Sequence, residues 1–154
     1  MKPGSGVGIM VLKDNKILLG LRKTNKDKNT EIDGYETWSM PGGKVEYLEK
    51  LVDAAKRELK EETNLDIIDS TMVKVLSGKD TYREYPNGDK LYDITAIFVI
   101  TNYSGDLKVN DEESKKLEWF GIDKLPENIT SHTRNYLEKY GDILKEALII
   151  YENK

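Results

Sequence analysis

Apolar positions along this chain fall into short runs separated by polar turns, and the period of the runs changes along its length. Val7–Leu12 and Ile17–Leu21 are apolar, the first rich in β-branched residues, and the polar cluster Lys13-Asp14-Asn15-Lys16 between them predicts a hairpin. Arg22–Glu36 is polar with charges of both signs and reads as a long surface loop, a kind of segment that is uncommon in compact domains and often functional. Thr37–Met40 returns to an extended pattern and stops at Pro41-Gly42-Gly43. From Leu48 to Thr63 the period becomes helical, with Leu51, Val52, Ala55 and Leu59 on one face. Asn64 stands where that helix should stop, and Asn is the best non-glycine residue for a left-handed C-terminal cap.

The second half reads mainly as strand. Ile67–Leu76 and Leu91–Tyr103 are strand candidates, and Tyr85-Pro86-Asn87-Gly88-Asp89 between them carries an Asn-Gly turn signal. Leu117–Phe120 is a further short strand, ended by Leu125-Pro126. Ile143, Leu144, Ala147, Leu148 and Tyr151 have helical spacing and predict a packed C-terminal helix. There is no internal repeat and no low-complexity linker. The pattern predicts one α/β domain over residues 1–154, with strands and helices interleaved.

Composition narrows the function. Twenty-eight acids against 24 bases leave a net charge of -4, and a pI near 5.2 argues against a partner that is nucleic acid, which needs a basic face. Without cysteine there is no disulfide framework, thiolate metal site or thiol nucleophile, and a lone histidine, His132, excludes multi-histidine zinc sites. The longest apolar stretches, Ala96–Ile100 and Ala147–Tyr151, fall far short of the roughly 20 residues that a membrane-spanning helix needs. The first six residues lack the apolar core of a signal peptide. A cytoplasmic protein with no membrane partner, monomeric or homodimeric, is expected.

The candidate chemistry lies between Gly42 and Leu65. On a helical wheel with Leu51 at zero, the apolar residues Leu51, Ala55, Leu59 and Val52 span about 0 to 100°. Glu62 falls inside that sector, Glu58 at its edge, and Glu61 close by. Three carboxylates on one side of a helix end repel each other and oppose the helix dipole, so they call for a cation among them. Hard oxygen ligands suit magnesium or manganese. The alternative is a solvated acidic face with one acid reaching out at its boundary.

The array of residues decides between these. Gly43, Glu49, Arg57-Glu58-Leu59, Glu61-Glu62 and Asn64-Leu65 resemble the Nudix box, G-x5-E-x7-R-E-U-x-E-E-x-G-U, with U a bulky aliphatic residue. Only the second glycine differs, and Asn64 tolerates the left-handed backbone that this place needs. Six fixed matches arise by chance on the order of once in 10⁷ starting points. Trp38-Ser39-Met40-Pro41-Gly42-Gly43 is similar to the family's usual entry to the box, and Leu117-Glu118-Trp119-Phe120 to a late strand.

The resemblance implies an α/β/α sandwich with a mixed β-sheet, and a hydrolase that cleaves nucleoside diphosphate-linked compounds with magnesium, or manganese in its place. It implies Glu58 and Glu62 as principal metal ligands, Glu61 assisting, and the Gly42 carbonyl as a further ligand. Arg57 would orient the glutamates, Glu49 would hold Arg57 or bind metal through water, and Gly43 would allow the tight loop. The general base differs among members; a box glutamate or the loop Asp111-Glu112-Glu113 supplies candidates, Glu113 foremost. Arg22, with Lys23, is a candidate phosphate contact. Trp38 is a candidate for stacking on a base, against the plainer reading of a packed core residue. His132 reads as an ordinary surface or capping residue. Tyr82, Tyr85 and Tyr92 flank the central turn as candidate base contacts. Among substrates, the proline marking ADP-ribose-type members about 16 residues past the box is absent, since Asp80 stands there. A MutT-like hydrolase of (d)NTPs to monophosphate and pyrophosphate is therefore expected. Activity on ADP-ribose, nucleotide sugars or dinucleoside polyphosphates is the alternative, and an inactive binding module a remoter one.

Overall fold

The computed structural model describes residues 2–23, 36–85, 87–110, 112 and 114–152. The predicted hairpin is β1 (Gly4–Lys13) and β2 (Lys16–Arg22), turned through Asp14 and Asn15, both at positive φ as a two-residue hairpin turn requires. Next come β3 (Trp38–Ser39) and β4 (Gly42–Lys44), then helix α1 (Leu51–Thr63). Strand β5 (Asp66–Leu76) follows, then a 3₁₀ turn (Gly78–Asp80). The short hairpin β6 (Arg83–Glu84) and β7 (Lys90–Leu91) precedes β8 (Asp93–Ser104), β9 (Ser114–Gly121) and helix α2 (Ser131–Glu152). Most of the long loop predicted after Arg22 lies outside the described residues.

Among the described residues, seven strands form one mixed sheet whose central path runs β3-β2-β1-β8-β5. Strand β4 pairs β1, and β9 pairs β2. The step that organises it is the parallel pairing of β1 with β8, which sets Gly4 opposite Asp93 and Val7 opposite Ala96. Both central strands are buried on both faces, which is why they read as near-continuous apolar runs. Val7, Ile9, Val11, Ala96, Phe98 and Ile100 join a cluster with Ala54, Ala55 and Leu59 of α1. Met10, Leu12, Ile97 and Val99 join the opposite cluster with Tyr136, Leu137, Leu144 and Leu148 of α2. The result is the expected sandwich of a mixed sheet between helices.

Two element boundaries differ from the pattern reading. Helix α1 begins at Leu51, not Leu48, because Leu48 takes φ +60 in the turn before it. Leu51 is then a first-turn residue and largely exposed, while Ala54 is fully buried. Helix α2 begins well before its apolar repeat and is kinked at Tyr140, where φ and ψ leave the helical region. At the other end of α1, Asn64 adopts φ +67 and its N–H donates to the Lys60 carbonyl at 3.0 Å, as a left-handed cap does. Among the described residues no helix is long and apolar enough to cross a membrane.

Candidate active site

Helix α1 lies across β4, two of whose three residues are glycines. Glycine is needed here for closeness. A Cβ on Gly43 would overlap the Glu58 carboxylate, and one on Gly42 would overlap the Val7 carbonyl. The missing side chain at Gly43 leaves room for Glu58, at the edge of the sector that periodicity marks as core-facing; Glu62, one turn on along α1, falls inside that sector. The Gly42 N–H donates to Glu62 Oε2 at 2.9 Å. Both glutamates line a cavity of about 830 Å³ together with Gly42 and Gly43.

Arg57 is the centre of the acidic cluster. Its Nε and Nη2 donate to the two oxygens of Glu49 at 2.8 and 2.9 Å, a bidentate fork. Its Nη1 donates to Glu58 at 2.8 Å and reaches Glu61 at 3.4 Å, and Nη2 also donates to the Lys44 carbonyl at 2.8 Å. One guanidinium thus ties β4, the turn before α1 and the metal-ligand candidates into a single unit. Its fork, with the Glu46 N–H donating to Glu49 Oε1 at 3.0 Å, holds the Glu49 carboxyl down to about 2. The same carboxylates, Glu49 first, raise the Arg57 pKa further and keep it a cation. The repulsion among neighbouring acids that the sequence exposed is answered by this arginine.

The donor set fits a hard divalent cation. It consists only of oxygens, it lies at the cavity wall, and the Gly43–Glu58 contact shapes a cradle that any side chain at 43 would fill. Among the described residues no three Asp, Glu or His side chains close on one point to hold an ion unaided. Magnesium is commonly held by one or two carboxylates with substrate phosphates and waters completing its shell, so two cavity-facing glutamates meet the requirement.

The remaining candidates divide. Arg22 and Lys23, at the end of β2, line the cavity. Glu112 lines it as well, while Asp111 and Glu113 lie outside the described residues. Glu61 is half exposed and is not part of the lining. Trp38 is buried, edge-on to Phe120 at 4.7 Å, and stands in the core rather than in the cavity wall. Of the three tyrosines, Tyr85 lines the cavity; Tyr82 is exposed and donates to Glu84 at 2.7 Å. Pattern reading missed a second group. His132 and Tyr136 of α2, Arg83 of β6, and Asp93 and Thr95 of β8 also line the cavity. His132 Nε2 lies 3.4 Å from Ser39 Oγ, and its ring is edge-on to Tyr136 at 5.9 Å. Being the chain's single histidine was the one signal available for it; nothing local marks Arg83.

A mixed sheet between two helices, with a diglycine strand pressed on a helix whose glutamates surround one arginine, defines a Nudix hydrolase. The NUDIX domain family model matches residues 2–140, and the chain belongs to that family. It is 33% identical to an ADP-ribose pyrophosphatase of Methanocaldococcus jannaschii over 87% of this chain and 71% of that protein. It is also 33% identical to an oxidized purine nucleoside triphosphate hydrolase of Danio rerio, over 77% of this chain and 66% of that protein. Among solved structures, a MutT NUDIX hydrolase from Burkholderia pseudomallei superposes with a TM-score of 0.73 at 29% identity. That match covers 90% of this chain and 98% of the other.

Proposed function

We propose that this Nudix hydrolase is a magnesium-dependent pyrophosphohydrolase of nucleoside triphosphates, (d)NTPs included, releasing a nucleoside monophosphate and pyrophosphate. The carrying observation is the placement of Glu58 and Glu62 at the wall of one large cavity, beside Gly42 and Gly43 and braced by Arg57. When bound, the divalent cation neutralises phosphate oxygens and lowers the pKa of a bound water. Glu58 and Glu62 would hold it, with Glu61, half exposed outside the lining, assisting and the Gly42 carbonyl as a further donor. Arg57 is a positioning residue: it fixes Glu58 directly and is itself fixed by Glu49. Arg22 and Lys23, which line the same cavity, bind phosphate. Water attacks phosphorus, its oxygen forms the new P–O bond, and the anhydride P–O bond breaks toward the pyrophosphate. An acid of the 111–113 loop takes the proton; Glu112 is the cavity-lining member and Glu113 its neighbour. The reading treats residues 1–154 as one Nudix domain acting in the cytoplasm on a small-molecule nucleotide, as a monomer or homodimer.

The likeness to the Methanocaldococcus protein favours a second reading, ADP-ribose as substrate. A panel of canonical and oxidised (d)NTPs, ADP-ribose, nucleotide sugars and dinucleoside polyphosphates in magnesium, with Glu62→Gln as control, separates them. Monophosphate and pyrophosphate from a (d)NTP, lost in the control, is the expected result. AMP and ribose phosphate from ADP-ribose alone would replace the first reading with the second.

A further inference from the structure

We propose that Arg83, braced by Asp93, is a specificity-determining residue that selects a 6-oxopurine over adenine in the substrate. The inference rests on the nucleotide reading above and deepens it. Arg83 comes from the β6–β7 hairpin and Asp93 from the first position of β8, and both line the cavity. Along β1, Asp93 is level with Gly4 and Gly43 with Val7, so the two are offset by three residues, about 10 Å along the strand, on the strands that flank β1 to either side. That separation is suited to a nucleotide whose phosphates meet the glutamates and whose base lies at the second group.

The chemistry of this second group is specific. A guanidinium carries five N–H donors and no acceptor. Nη2 of Arg83 is bound to Asp93 Oδ2 at 2.5 Å, and Nε is enclosed with no hydrogen-bond partner among the described residues. With Nε enclosed, the donors that Arg83 can offer a ligand are the three remaining N–H groups of Nη1 and Nη2. Asp93 balances its charge, so the pair offers directional donors without a net cation, which favours a neutral acceptor over another phosphate. Nearby, the Tyr136 hydroxyl is bonded to Thr95 and burial raises its pKa, so it stays a neutral phenol. Tyr85 and Leu91 supply a ring and an apolar side chain at the same hairpin. A 6-oxopurine presents O6 and N7 as adjacent acceptors and is matched to an arginine fork; adenine places its amino donor against the guanidinium.

Calorimetric binding of GMP, IMP and AMP to the intact protein tests this without turnover. GMP and IMP should bind on the order of 10- to 100-fold tighter than AMP. Arg83→Met should erase that ratio while leaving AMP affinity within about twofold, and Arg83→Lys should keep only a small part of it. Circular dichroism checks that each variant is folded; if Arg83→Met is not, Arg83→Lys, which keeps the pair to Asp93, decides. Equal binding of GMP and AMP by the wild type, or a ratio unchanged in the folded variant, overturns the inference. The reaction is read separately by turnover. Nucleoside triphosphates hydrolysed without any GMP preference would sink the inference alone. An Arg83-dependent GMP preference with no triphosphate turnover would sink the proposed reaction and leave base selection standing.

Discussion

Of the three arginines in or beside the cavity, Arg57 and Arg83 are treated in opposite ways. Arg57 has hydrogen bonds to Glu49, Glu58, Glu61 and the Lys44 carbonyl, and a longer ion pair to Glu46. Arg83 has one carboxylate partner, Asp93, and an enclosed Nε that no described residue satisfies. The first guanidinium is over-determined, as a residue must be when it positions other groups to within a fraction of an ångström. The second has Nη donors that no described residue uses, which the proposed base recognition requires. In the proposed mechanism, bracing belongs to the reaction end of the cavity and uncommitted donors to the recognition end.

The largest effects should come from breaking the braced end. Glu58→Gln keeps the shape and removes the charge, and kcat should fall on the order of 10²- to 10³-fold with the melting temperature little changed. Near wild-type turnover in that variant would remove Glu58 from the site. Gly43→Ala should be nearly as damaging, because its Cβ overlaps the Glu58 carboxylate. A cost of roughly 1–3 kcal/mol in denaturant unfolding is expected alongside lost activity. Arg57→Lys keeps the charge but not the fork, and kcat should drop about 10- to 100-fold.

A second substitution at Arg57, to alanine, sharpens the comparison through proton binding. The fork holds Glu49 near 2, below its unfolded value, so the stability from this pair is fully present above about pH 4.5 and is lost as pH falls toward 2. Carboxyl titration by NMR should find the Glu49 midpoint near 2 and see it return toward the ordinary carboxylate range in Arg57→Ala. A midpoint unmoved by that substitution would mean that Arg57 does not set it. The smallest effect lies outside both ends. Leu48 is exposed at φ +60, and Leu48→Gly should raise unfolding free energy by roughly 0.5–1 kcal/mol without altering turnover.

Much of the braced end was legible in the chain, because helix spacing is local. Residues 57, 58, 61 and 62 must share one side of a helix, and Asn64 must end it whatever surrounds them. The offset in where α1 begins arose because Leu48 and Leu51 fit the apolar period but lie in or beside a turn, where no sheet covers them. Trp38 shows the opposite limit. A tryptophan beside a glycine-rich site suits stacking and packing equally, and its edge contact with Phe120 depends on β2 holding β3 on one side and β9 on the other.

Of the recognition end only Tyr85 was named from the sequence as a candidate base contact, and the rest was not legible. Arg83, Asp93, His132 and Tyr136 carry no motif, and their spacing along the chain matches no single helix or strand. They meet because β8 runs parallel to β1 while α2 packs on the sheet face that carries Met10 and Ile97. The sequence by itself determined the local terms: the near-continuous apolar runs of β1 and β8, the left-handed cap at Asn64, and the glutamates and arginine of α1. Tertiary structure alone decided that the Gly42 N–H holds Glu62, that Arg57 reaches back to Glu49 and Lys44, and that Arg83 shares a cavity with Glu58. The physical reason is range. Periodicity and capping act within a few residues, whereas these contacts depend on strand register and helix docking between segments that are distant in the chain.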